Sequence, residues 1–162
     1  RQGWVHLLDE RLKKEGFEHQ LVNASISGDT SAGGAARLPA LLAEHSPDVV
    51  IVELGGNDGL RGLPPKQLQQ NLASMIDASR EAGAKVLLLG MRIPPNYGER
   101  YTTAFAKVFD DVAAEKSVPL VPFLLEGVGG VDALMQDDRV HPAVEAQPLL
   151  LENVWPALKP LL

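Results

Sequence analysis

Cysteine is absent from the 162 residues. That excludes disulfides, a thiol nucleophile and any zinc site built on thiolates, and fits either a reducing or an oxidising compartment. No apolar run approaches the ~20 residues that a membrane-spanning helix needs. There is no basic patch: the net charge is −6 and the charges are interspersed, so nucleic acid is not an expected partner. The four histidines fall in no HExxH or HxxxH spacing. Also missing are a Walker-type Gly-x-x-x-x-Gly-Lys and a Gly-x-Ser-x-Gly nucleophile elbow. The chain opens at Arg1, with neither a starter Met nor a signal-peptide pattern, and residues are expected to have been removed before it.

What is present is an ordinary globular composition, 45% hydrophobic, long enough for one domain over residues 1–162. The clearest feature is VVIVELGGNDGLRG, Val49–Gly62. An apolar run stopped by Gly55-Gly56 reads as a buried strand of a parallel sheet. Ligands in such sheets sit beyond the carboxyl ends of the strands, which is where Asn57 stands. Its amide can donate two N–H bonds to a developing negative charge, or it can serve only an Asx-turn.

Periodicity predicts a helix over Gly3–Glu15 stopped by Gly16, a strand over His19–Asn23, and a helix over Ser31–Glu44. After the strand at Val49–Leu54, helices are expected from Pro64-Pro65 to Ala82 and from Arg100 to Glu115. Strands are expected at Val86–Leu89 and Val118–Val121. A C-terminal helix is expected to open at Pro142, with Pro148 interior and able to kink it. Alternating helices and strands predict an α/β sandwich with a mainly parallel sheet.

Four clusters could carry chemistry. Asn57 is the first. In the second, Ser25–Gly34, the Gly28 N–H could point into the same cleft. There Ser31-Ala32-Gly33-Gly34 reads either as an anion site or as a tightly packed helix entrance. The third is Asp137-Asp138-Arg139-Val140-His141-Pro142. An Asp three residues before a His can bond one ring nitrogen and leave the other as a general base; a surface pair and a metal site are the competing readings. The fourth, Met91–Gly98, is a proline-stiffened loop that either walls an acyl or aryl site or merely connects. No nucleophile accompanies them: Ser25, Ser27 and Ser31 read as turn or N-cap residues.

Together, NASISGDTSAGG (Asn23–Gly34), VELGGNDGLRG (Val52–Gly62), PPNYGERY (Pro94–Tyr101) and MQDDRVHP (Met135–Pro142) resemble, in order along essentially the whole chain, the SGNH (GDSL) hydrolases. The closest similarity is to the bacterial periplasmic esterases with thioesterase and lysophospholipase activity. The resemblance implies a flavodoxin-like three-layer α/β/α sandwich and hydrolysis of acyl and aryl esters and thioesters through an acyl-serine, without metal or cofactor. It also implies a periplasmic or secreted location. It places oxyanion donors at the Gly28 N–H and the Asn57 amide, and the supporting acid and base at Asp138 and His141. Asp137 does not fit the spacing. The segment from Asp58 to about Lys66 resembles a mobile flap, so Asp58, Gly59 and Leu60 are expected to contact substrate, as are Ile93 and Pro94.

The family's Gly-Asp-Ser motif, with its nucleophilic serine, has no counterpart here. By resemblance about twenty upstream residues are missing, an estimate from the length of a βα unit. They include the first strand, which in the order 2-1-3-4-5 lies between the strands at His19–Asn23 and Val49–Leu54. Residues 1–162 are therefore not expected to fold natively alone. The expected partner is the missing segment, docked as a separate peptide. The competing readings are a non-catalytic remnant and a ligand-binding flavodoxin-like module.

Overall fold

The computed structural model describes residues 3–162. It comprises two compact units, one running from Ile26 to Phe123, the other joining the segment up to Ser25 with Leu124–Pro160.

The Ile26–Phe123 unit is built on three parallel strands, β1 (Val49–Val52), β2 (Lys85–Leu89) and β3 (Leu120–Val121), in the order β1-β2-β3. Val49 lies opposite Lys85 and Val52 opposite Leu88, and Leu88 and Leu89 face Leu120 and Val121. From Val86 to Leu89 every residue is buried, the mark of a central parallel strand covered on both faces. Four helices complete the unit: α2 (Ser31–His45), the five-residue α3 (Gly56–Leu60), α4 (Pro65–Glu81) and α5 (Glu99–Lys116). Pro65 suits the first turn of α4, where its missing N–H costs nothing. Leu68, Leu72, Met75 and Ile76 then recur on one face and enter the core beside Val52, Val86, Phe105 and Phe109. Leu72 and Ile76 are fully buried, each worth roughly 1.5–3 kcal/mol of transfer free energy.

In the other unit, α1 (Trp4–Lys14) packs on α6 (Gln147–Leu158). The Trp4 N–H donates to Gln147 Oε1 at 2.9 Å, and Arg11 donates to Glu152 at 2.8 Å while its guanidinium lies 4.7 Å above the Trp155 ring. Asn153 Nδ2 donates to the carbonyls of Leu124 and Glu126, fastening the start of the glycine-rich stretch to α6.

The fold class is α/β with a parallel sheet, as the alternating pattern predicts. Two local expectations are corrected. His19–Asn23 forms no strand, and Val22 is 51% exposed; β1 pairs with β2 alone among the described residues. A strand exists only where a neighbour completes its ladder, and none does so here. Nor does Pro142 open a helix. Its carbonyl accepts from Gln136 Nε2 and the Ala143 N–H donates to Leu134, so these backbone groups pair sideways. The helix begins only at Gln147, with Pro148 harmless in its first turn; the interior proline is Pro156.

Candidate active site

The sheet end of β1 carries the first constellation. Gly55, at φ +117°, turns the chain sharply into α3; a side chain there would press on Phe109, 2.9 Å away, and on Leu68. Asn57 and Asp58 therefore emerge on consecutive positions of a short helix aimed at the turn before α2. Asn57 Nδ2 donates to the Asp29 carbonyl at 3.2 Å. That bond orients the amide and, among the described residues, leaves its second N–H uncommitted. Gly28, immediately before Asp29, is exposed at φ +78°, and its N–H makes no hydrogen bond among the described residues.

Asp58 faces the other way. It is 3% exposed, and both oxygens are taken up by Ser31: Oδ1 accepts the backbone N–H and Oδ2 the hydroxyl, each at 2.7 Å. Asn71 Nδ2 donates to the same hydroxyl at 3.0 Å. Ser31 is fully buried and its hydroxyl is committed on both sides, so it is no nucleophile. Nor are residues 31–34 an anion site. The Gly33 and Gly34 N–H groups go to Thr30, and Gly34 packs against the Leu54 side chain, the tight helix entrance. Asp29 is held by Arg37 at 2.6 Å.

The second constellation is a local loop. Met135 and Pro142 form an antiparallel bridge, the Gln136 N–H donates to the His141 carbonyl, and Arg139 turns the chain at φ +59°. That left-handed residue brings Asp138 back over its own successors. Oδ1 accepts the N–H groups of Val140 at 2.9 Å and His141 at 3.1 Å, and Oδ2 meets His141 Nδ1 at 2.7 Å. The imidazole hydrogen bond first, then the two backbone N–H bonds, pull the Asp138 carboxyl down to about 2. An ionised carboxylate only accepts, so Nδ1 carries the proton and a neutral His141 presents Nε2 as a base. Both side chains are exposed, and Asp137 takes no part.

The remaining predicted contact residues lie deeper than a flap suggests. Gly59 is buried, and a side chain there would collide with Ile93 Cγ2 and the Phe105 ring. Ile93 is itself a core residue; Pro94 and Leu60 are half-buried. The segment after Asn57 is fastened by two tyrosines, with Tyr97 donating to the Leu60 carbonyl at 3.0 Å and Tyr101 to that of Leu63 at 2.5 Å. Sequence reasoning missed these tyrosine anchors and the Ser31–Asn71 part of the Asp58 network. Their partners lie 27 to 40 residues away, and no local pattern announces them.

Strand-end amide donors and a carboxylate-steered imidazole are, as a class, the parts that serine acyl hydrolases set around their nucleophile. The model of the GDSL-like Lipase/Acylhydrolase family matches residues 1–147, and the chain belongs to that family. It is 67% identical to "Esterase TesA" of Pseudomonas aeruginosa over 99% of this chain and 80% of the relative. With "Thioesterase 1/protease 1/lysophospholipase L1" of Escherichia coli K12 it shares 46% identity, over 98% of this chain and 74% of the relative. A crystal structure of TesA superposes with a TM-score of 0.97, at 67% identity, covering 99% of this chain and 89% of that one. The solved relatives have the flavodoxin-like α/β/α type of fold that the motifs imply.

Proposed function

We propose that this chain supplies the oxyanion donors and the base of a serine hydrolase acting on acyl and aryl esters and thioesters. In this reading His141 Nε2 takes the proton of a nucleophilic serine as it attacks the carbonyl carbon and returns it to the leaving alcohol or thiol. Asp138 holds the ring tautomer and stabilises the imidazolium. The Gly28 N–H and the Asn57 amide receive the oxyanion, and water releases the acyl-enzyme by the same route. The observation that carries the reading is the 2.7 Å Asp138–His141 bond, in which a carboxylate pinned by two backbone N–H groups fixes Nδ1 as donor. The names of the relatives, an esterase and a thioesterase with lysophospholipase activity, supply the substrate class.

The serine belongs, we propose, to a Gly-Asp-Ser segment outside residues 1–162. Ser31, which bonds the neighbour of Asn57, supports this by being consumed in the Asp58 network. The same family resemblance favours a periplasmic or secreted location. Labelling with a fluorophosphonate, followed by intact mass under denaturing conditions, tests the nucleophile. Label on the serine of a Gly-Asp-Ser segment outside residues 1–162 supports the proposal, whereas label on a serine of residues 1–162 refutes it. Asn57→Ala tests the donors: a loss of about a hundred- to a thousand-fold in kcat is expected. Unchanged turnover would remove Asn57 from the mechanism.

A further inference from the structure

The sequence suggests Asp58 as a substrate contact; its surroundings give it a different task. A carboxylate leaves water only when hydrogen bonds or charges compensate it. Asp58 is 3% exposed, and among the described residues no cation pairs with it. Its compensation comes from Ser31, through a backbone N–H at the first position of α2 and a hydroxyl that Asn71 also engages. Such charge-assisted bonds are about twice as strong as neutral ones. The Ser31 N–H is also one that α2 cannot satisfy internally, and negative charge at that end of a helix is favoured.

The consequence lies two and three residues upstream. Asn57 and Asp58, adjacent on α3, grip the same short turn, Asn57 through the Asp29 carbonyl and Asp58 through Ser31. Gly28 sits just before this grip. Nothing packs within 4 Å of where its side chain would be, and among the described residues it takes part in a single long hydrogen bond, 3.5 Å from Arg61 to its carbonyl. Its N–H direction is thus set mainly by how firmly residues 29–31 are held to α3. We propose that Asp58 is a positioning residue that fixes the Gly28 N–H and the Asn57 amide as one rigid pair of donors. This deepens the hydrolase reading of the site and rests on it. A hole built from two chain segments, 28–31 and 55–58, needs a tie between them, because donors displaced by about 1 Å can forfeit up to a hundredfold in rate.

The test is steady-state kinetics with a small aryl ester, run on the chain together with its Gly-Asp-Ser segment. It compares Asp58→Ala, Asp58→Asn, Ser31→Ala and Asn57→Ala, with Asp58→Ala also combined with Asn57→Ala. Asp58→Ala is expected to lower kcat about ten- to a hundredfold and move KM by less than about twofold, because the tie acts on transition-state donors. Asp58→Asn can still accept the Ser31 N–H and should recover part of the loss. Ser31→Ala, which removes the hydroxyl's bonds to Asp58 and Asn71 and keeps the backbone one, should lose about three- to tenfold. Once Asn57 is gone its partner donor has little left to align with, so the double variant should fall less than about threefold below Asn57→Ala alone.

Parent-level kcat in Asp58→Asn and Ser31→Ala, with Asn57→Ala impaired, would overturn the positioning role and leave the hydrolase reading standing. Losses at 57 and 58 that simply multiply would overturn it too. Fully active Asn57→Ala would instead break the underlying reading of the donors. Should Asp58→Ala fail to fold, Asp58→Asn combined with Asn57→Ala decides the question by the same comparison.

Discussion

Two aspartates in this protein each hold a 2.7 Å hydrogen bond to a partner in one of the two proposed parts of the site, and they do so under opposite conditions. Asp58 is buried and reaches a residue 27 positions away; Asp138 is half-exposed and bonds residues two and three positions ahead. The buried one is a matter of assembly: α3, the turn before α2 and Asn71 of α4 must all be in place before its desolvation is compensated. The exposed one is a loop that closes on itself, with Arg139 in the left-handed region and the His141 backbone and ring on one carboxylate. Stability and chemistry are therefore expected to separate cleanly at the loop and to be entangled at α3.

The sharpest way to break that contrast is His141→Ala. With the side chain 68% exposed, its removal is expected to shift Tm by less than about 2 °C, as for most surface substitutions in a chain of this size. Esterase kcat should nevertheless fall about a hundred- to ten-thousand-fold, the worth of a general base. A variant that unfolds, or one that turns over at the parent rate, would show that the two regions do not differ in this way.

The converse substitution is Gly59→Ala. It touches no proposed donor, but the new methyl would meet Ile93 and Phe105 in the packed core. Overpacking of this kind costs about 1–3 kcal/mol, so Tm should drop by several degrees while kcat, measured well below the new Tm, changes much less than in His141→Ala. A Tm equal to the parent's would mean that α3 yields freely and that the buried constellation is less rigid than its contacts indicate.

The same contrast explains what could be read from the chain beforehand. Asp138 and His141 were legible because their geometry is local: three residues of spacing specify the loop. The strand at Val49 is legible from an apolar run stopped by glycines, and the helix at Pro65 because burial imprints a period on the sequence, as Leu68, Leu72, Met75 and Ile76 do. The helix α3 was not legible. Gly56 and Gly59 are poor helix formers, and the turn is kept by Tyr97 and Tyr101 reaching in from α5 and the loop before it. Asp58 is expected at a substrate surface because its segment resembles a mobile flap; its burial depends on Ser31 and Asn71, which only tertiary structure brings near. His19–Asn23 was misread for the complementary reason, since apolar residues do not make a strand without a neighbour to pair with.

The smallest effect concerns pH, and it separates the carboxylate of the loop from its imidazole. The Asp138 carboxyl is depressed to about 2 from an ordinary 3.8, because its ionised form is held by the His141 ring and two backbone N–H groups. A carboxyl depressed in the folded protein contributes stability that is fully present above its unfolded value, near 4, and is lost as pH falls through about 2. The Tm difference between the parent and Asp138→Asn should accordingly be small and constant above about pH 5, then shrink as pH is lowered toward 2. Activity adds the sharper consequence. Since Asp138 stays ionised throughout that range, a loss of kcat/KM on the acid side above pH 4 is not expected from Asp138 itself. Carboxyl carbon NMR of Asp138 checks both points. A midpoint near 2 with no inflection on the activity limb is the expected result, whereas a midpoint near 4 would mean that the loop holds its carboxylate no more tightly than solvent does.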